Sequence, residues 1–230
     1  MPTKISVIVP ILNEEECLPE LLESLQLISS IEIIISDGGS GDRSLEICSR
    51  YPVKMVTGSA GRGMQLNRGA QLATAPVLLF LHADCQLEPI VVEQVLEAIK
   101  EGYHWGCATM DFDERLPFYR GLAFFSNLRA RYWKSCYGDQ AIWCRKDVFL
   151  NIGGFPDIPL MEDLAFSHHL RSKYCFRVVA GRVITSTRRF KDGGPLITLI
   201  KMQVLKVLYF LGVSPERLYD YYQQGRRVSL

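Results

Sequence analysis

Two short stretches carry side chains whose types and spacing could do chemistry. The apolar run Val77 to Leu81 ends abruptly in His82-Ala83-Asp84, an imidazole and a carboxylate two residues apart. If extended geometry continues past the run, both side chains fall on one face, a plausible place for a metal ion. Glu162 and Asp163 are adjacent in PLMEDLAFSHHLR and open a helix, where acids complement the dipole whatever else they do. Asp37 closes the run IEIIIS and precedes two glycines. Its carboxylate can accept from a ligand's base edge or from its own turn. Gly61-Arg62-Gly63 leads into a helix that carries Gln65, Asn67 and Arg68. Helix N-terminal amides with an Arg make an anion site.

The elements that must position these groups are legible from periodicity. ISVIVP (5–10) is a continuous, β-branched apolar run, which predicts a strand buried on both faces. A helix is expected over 14–27, with Leu18, Leu21, Leu22 and Leu25 on one face and three leading glutamates at its N-terminus. IEIIIS reads as the second strand, followed by the DGGSGD turn and a helix from about Ser44 to Arg50. VKMVTG (53–58) and VLLFL (77–81) read as the third and fourth strands, each followed by a helix. Strands alternating with helices imply a mostly parallel sheet with right-handed crossovers. Ligands of such sheets bind beyond the carboxyl ends of the strands. Pro10 to Glu14, Asp37, Gly58 to Arg62 and His82 to Asp84 all fall there, four consecutive strands delivering polar groups to one edge.

The chain of 230 residues is long enough for one α/β domain with a sizeable core, and 48% hydrophobic with 22% charged residues is ordinary globular composition. The N-terminus lacks the apolar core and small-residue site of a signal peptide. The seven cysteines are scattered with no CxxC, which favours a reducing, cytoplasmic setting. The net charge of +1 hides an asymmetry. Residues 1–163 hold 14 Lys and Arg against 22 Asp and Glu, a balance of −8. Residues 164–230 hold 12 against 3, a balance of +9. A basic tail suits either an anionic partner or the acidic half of its own chain.

The pieces SVIVPILNEEE, SDGGSGD, AGRGMQLNRGA, LHAD and GGFPDIPLMEDLAFSHHLR run in order from Ser6 to Arg171, about three quarters of the chain. In that order they resemble the family 2 glycosyltransferases, nucleotide-sugar enzymes of the GT-A fold. GRGMQLNRGA with LHAD looks most like the subgroup called radical-SAM/selenodomain-associated transferases. No dinucleotide fingerprint is present, because GGSGD lacks GxGxxG spacing. The resemblance implies an inverting transferase that moves a sugar from a nucleoside diphosphate sugar to an acceptor hydroxyl. It implies that Pro10, Asn13, Glu14, Asp37, Gly61, Arg62 and Gln65 line the nucleotide pocket. Asp84 would bind a divalent cation, Mn²⁺ or Mg²⁺, that neutralises the leaving diphosphate. The family usually has Asp-x-Asp there. His82 replaces the first acid, and it could ligate metal, contact the ribose or pack at the strand end. Asp163 would be the base, with Glu162 fixing the loop or the acceptor. Asp139, in GDQ, could bind a sugar hydroxyl or shape a turn. The alternatives are a nucleotide-sugar-binding scaffold that has lost catalysis, and a sugar nucleotidyltransferase, against which the acidic PILNEEE argues.

The chain reads as a single domain with a nucleotide-sugar-binding half (1–110), an acceptor half (111–194) and a C-terminal apolar and basic extension (195–230). Residues 195–213 approach the length of a membrane span, but Lys201 and Lys206 inside them would each cost ~2.5–3.5 kcal/mol near a bilayer centre. On a helix, Thr198, Lys201 and Lys206 fall on one side. Leu196, Ile200, Val204, Val207 and Leu211 fall on the other. That pattern suits peripheral contact at the inner face of a membrane, where a lipid-linked acceptor would be met. It also suits a homodimer, or a core helix closing the domain. Nucleic acid is not an expected partner.

Overall fold

The computed structural model describes residues 4–227. One eight-stranded sheet contains β1 (Ile5–Ile11), β2 (Ile31–Asp37), β3 (Lys54–Thr57), β4 (Val77–Phe80), β5 (Cys85–Leu87), β6 (Trp105–Phe112), β7 (Trp143–Arg145) and β8 (Phe176–Thr185). Their order is β3-β2-β1-β4-β7-β6-β8-β5. The four strands legible in the sequence pair in parallel. β7 runs antiparallel between β4 and β6, β8 lies parallel to β6, and β5 closes the far edge antiparallel to β8. The sheet is therefore mostly parallel, as expected, with an irregular second half where the sequence rhythm loosens.

The apolar runs are continuous because both faces of the sheet are covered, and the pleat sorts them. Val7, Val9 and Ile11 of β1, Ile33 and Ile35 of β2 and Leu79 of β4 face one layer. That layer holds the leucines of α1 (Leu18–Gln26) and the valines of α4 (Ile90–Lys100). Ile8, Ile34, Leu78 and Phe80 face the other, against Leu66 and Ala70 of α3 (Arg62–Leu72) and Phe166 of α7 (Glu162–Arg171). Phe80 also meets Phe149 of α6 (Lys146–Asn151), with ring centroids 5.5 Å apart.

α1 starts at Leu18, not at Glu14 as the periodicity predicts, and Pro19 sits in its first turn. The three glutamates before it serve other segments: Glu15 accepts from Arg43, while Glu14 and Glu16 pair with Arg188. α2 (Ser44–Cys48) is shorter than expected. A stretch rich in aromatic and basic residues forms α5 (Pro117–Trp133), which Asn127 docks by exchanging two 2.8 Å hydrogen bonds with the Met110 backbone. After β8 come α8 (Arg188–Gly193), α9 (Pro195–Phe210) and α10 (Pro215–Arg227). Part of the basic tail does cover the acidic half, through Arg188 on Glu14 and Glu16 and through Lys191 on Glu114.

Candidate active site

The carboxyl ends of β1 and β2 are laced into one wall. Asn13, at φ 56°, donates its N–H to Ser40 Oγ at 2.9 Å and accepts the Gly41 N–H at 2.8 Å. Asn tolerates this left-handed backbone better than most residues. The Glu14 N–H donates to Ser44 Oγ at 2.9 Å. Asp37 is buried, and its carboxylate accepts the N–H groups of Gly39 and Ser40 and the Ser40 hydroxyl at 2.5–3.2 Å. These hydrogen bonds hold the DGGS turn at the end of β2. Pro10 pairs with Ser36 in the ladder and offers the wall only backbone and ring.

Gln65 is a correction. It is buried beneath this wall, and its Nε2 donates to the carbonyls of Ile11 at 2.8 Å and Ser36 at 2.9 Å. Its Oε1 accepts the Gly61 N–H at 3.3 Å. The amide ties the ends of β1 and β2 to the start of α3 and has no free face for a donor. Arg68 is similar: it donates to Asp37 O and Ser59 O at 3.0 Å, with its guanidinium against Gly58, where any Cβ would stand 2.7 Å from its Cζ. Arg62, at the head of α3, is half-exposed and pairs with buried Glu162 at 3.3 Å. Burial, and then Asp163 alongside, raises the Glu162 carboxyl to about 6 despite Arg62.

The extended geometry assumed for His82 and Asp84 does not continue. β4 ends at Phe80, and Ala83-Asp84 form a turn closed by Cys85 N–H to His82 O at 3.2 Å. The two side chains are thereby released from the strand's period. His82 Nε2 is buried against Gly138, where a Cβ would come within 2.2 Å of it, and it has no hydrogen-bond partner. Burial, then Arg62 and Arg189, holds the ring's pKa well below the usual range. Of the three roles open to His82, the contact of this nitrogen with Gly138 describes packing at the strand end. Asp84 is partly exposed, and among the described residues the one donor to its carboxylate is the Cys85 thiol at 3.7 Å. Among the described residues no three His, Cys, Asp or Glu side chains gather as a ready-made metal cage. A single free carboxylate still fits a hard divalent cation that takes its remaining oxygens from a diphosphate and water.

Asp163, at the N-terminus of α7, accepts its neighbour Leu164's N–H at 2.6 Å and the Gly138 N–H at 2.8 Å. It thus holds the 3₁₀ turn Gly138–Gln140. Asp139 in that turn has a buried Oδ1 with no partner. Burial raises its pKa, with Arg129 opposing and Asp163 and Asp84 both adding to the rise. Arg62 likewise feels Glu162, Asp163 and Asp84 together. Asp139 and Asp163 are therefore held at one turn by the Gly138 N–H, with Asp84 within electrostatic reach of both Asp139 and Arg62.

Two groups there were not singled out for this place by the sequence. Arg129 lies 3.5 Å over the Tyr137 ring centroid, and Lys206 of α9 lies 4.5 Å from the same centroid. Burial, then Arg129, lowers Lys206 to about 8. No local pattern marks this sandwich, which joins three distant segments. Arg188, from the basic tail, also stands on the rim. The pairing of β5 Cys85 with β8 Thr185 carries α8 over Asp84, and Arg188 then reaches Glu14 and Glu16 at 3.2 Å each. A depression of about 430 Å³ lined by Leu25, Glu32 and Lys54 opens at the opposite, amino end of β2 and holds no comparable group of acids.

Residues 6–155 match the sequence profile described as Glycosyl transferase family 2. The chain is 35% identical over 133 residues to a dolichol-phosphate mannosyltransferase of Pyrococcus furiosus, covering 52% of this chain and 38% of that protein. It is 33% identical over 112 residues to an undecaprenyl-phosphate 4-deoxy-4-formamido-L-arabinose transferase of Pectobacterium carotovorum, covering 43% and 34%. The chain thus spans little more than a third of these relatives' length. The structure superposes on a mannosyltransferase from Pyrobaculum calidifontis in complex with GDP-Man and Mn²⁺ with a TM-score of 0.68 at 14% identity, covering 100% of this chain and 70% of that one. It also superposes on S. aureus TarS 1-349 in complex with UDP-GlcNAc with a TM-score of 0.63 at 21% identity, covering 80% and 59%. These likenesses establish the GT-A-like fold.

Proposed function

Since this chain belongs to glycosyl transferase family 2, we propose that it moves a sugar from a nucleoside diphosphate sugar to an acceptor hydroxyl with inversion. The observation that carries this reading is the meeting of β4's end, the turn bearing Asp139 and the head of α7 with Asp163 at Gly138, beside Arg62 on Glu162, at the carboxyl ends of the parallel strands. Asn13, Glu14, Asp37 and the Pro10 backbone form the nucleoside wall. Gly61 and Arg62 face the phosphates from the head of α3, with Gln65 bracing them. Asp84 would hold a divalent cation, Mn²⁺ or Mg²⁺, which supplies neutralising charge to the departing diphosphate.

The acceptor oxygen forms its bond to the anomeric carbon as the bond from that carbon to the diphosphate oxygen breaks. The acceptor's proton passes to the Asp163 carboxylate, and the nucleoside diphosphate leaves with the bonding pair. Placement matters more than a raised pKa, because the proton can leave late in the step. Glu162 holds Arg62, and Asp139 receives an acceptor hydroxyl.

On this reading the acceptor is lipid-linked, as the names of the two curated relatives suggest for theirs. The chain would work in the cytoplasm, peripherally at the inner face of the membrane; its seven cysteines are free thiols, as a reducing compartment keeps them. The motif likeness to the radical-SAM/selenodomain-associated transferases names no sugar and is kept as a subgroup assignment only.

The test is release of nucleoside diphosphate from a panel of UDP- and GDP-sugars, in Mn²⁺ and in chelator. Sugar-dependent release that needs the metal and is lost in Asp84→Ala is expected. Donor binding with no release from any sugar would leave the non-catalytic scaffold instead.

A further inference from the structure

α9 is turned inside out relative to an ordinary surface helix. Its inward side carries Thr198 and Leu205, both buried, Leu199 and Met202 against the core, and Lys206 beside Tyr137. Its outward side carries Leu196, Ile197, Ile200, Val204, Val207, Phe210 and Leu211, each between 49% and 75% exposed. At 100° per residue these seven fall within an arc of roughly 140°. Gln203 is the one polar residue in that arc, and no charged residue interrupts it. α5 adds Phe124, Phe125, Tyr132 and Trp133, all more than 60% exposed. The two helices flank the same Tyr137 ring, through Arg129 of α5 and Lys206 of α9.

We propose that the outward face of α9, with the aromatic side of α5, docks on an anionic lipid surface. The aliphatic stripe supplies apolar area to bury. Phe, Tyr and Trp side chains suit the level where acyl chains meet headgroups. Exposed Lys201 flanks the stripe, and Arg131 and Lys134 close the end of α5. Residues 164–230 as a whole carry a balance of +9. Two copies meeting through this face would bring basic rims together, whereas an anionic surface attracts them. α9 lies on the surface and does not cross it. Its 16 residues would span only about 24 Å, against the ~30 Å of a hydrocarbon core. Among the described residues no helix is long and apolar enough to span. The surface rests on exposure and charge alone. The transfer reading gives it a purpose, by presenting the Lys206 side of the same helix to a lipid-borne acceptor.

The experiment is flotation of the full chain with phosphatidylcholine vesicles containing phosphatidylglycerol, alongside light scattering and donor titration. The wild type should rise with the vesicles, and less at high salt. Ile200→Gln/Val204→Gln/Val207→Gln should bind vesicles at least ~10-fold more weakly, with an unchanged melting transition and unchanged donor affinity. Lys201→Glu should weaken binding most at low salt. A wild type that never floats overturns the proposal, as does a triple variant that floats equally well. So does a dimer that ignores vesicles and is dissociated by the triple variant, because a second copy would then be the occupant. Donor binding in the same samples separates failure of this surface from failure of the transferase reading.

Discussion

Asp163 Oδ2 accepts the Gly138 N–H at 2.8 Å, and Gly138 is also the residue against which the His82 ring lies. The end of β4, the 3₁₀ turn bearing Asp139 and the head of α7 are therefore pinned at one glycine. A base at Asp163 is placed by the same contact that places Asp139.

Asp163→Asn keeps the shape and an oxygen that can accept from Gly138 but removes the base. Turnover should fall by roughly 10²–10⁴, with donor affinity near that of the wild type by calorimetry. Retention of more than about half the activity would remove Asp163 from the base role.

Gly138→Ala would set a Cβ 2.2 Å from His82 Nε2. Such overpacking costs ~1–3 kcal/mol, read as a shift in the urea midpoint. Adding His82→Ala should recover most of that loss. A Gly138→Ala protein as stable as wild type would show that the ring and the turn are not in contact.

Gln65→Leu removes the side-chain donor to the Ser36 and Ile11 carbonyls, of which Ile11 keeps the Gly38 N–H at 2.9 Å. At ~1–3 kcal/mol for a buried group left unpaired, a loss of that size is expected. A variant that is fully stable yet binds donor far more weakly would restore Gln65 to the ligand shell.

Glu162 supplies a pH dependence whose sign can be worked out. Its folded pKa of about 6 lies above the ordinary 4.5, so between those values the folded state binds more protons than the unfolded one. Unfolding free energy from this group is then greatest below pH 4.5 and falls as pH rises through about 6. Glu162→Gln lacks that loss. Its stability relative to wild type should therefore rise between pH 4.5 and 6 and level off above. Urea melts at pH 4.5, 5.2, 6 and 7 check this, and a difference that moves the other way would mean that Arg62 outweighs burial.

The sequence by itself determined the first half of the fold and the edge on which the polar groups gather. Continuous apolar runs such as Ile5–Ile11 are local statements that both faces of a strand are buried, and polar clusters at their ends follow without any knowledge of packing. Asp84 and Asp163 were legible because each stands where an element begins or ends. Only the tertiary structure decided what each polar side chain faces. Gln65 reads as a helix surface residue near a ligand, yet three backbone groups from β1, β2 and the start of α3 converge on its amide. His82 is separated from Asp84 by a turn that a period of two does not contain. α9 shows a clean division of apolar and polar sides, but amphipathicity does not say which side is out. That sign was set by Lys206, whose place beside Tyr137 and Arg129 depends on residues up to 77 positions away in the chain. Periodicity is a property of one segment, whereas a partner is a property of two, and the second becomes visible only when the chain has closed on itself.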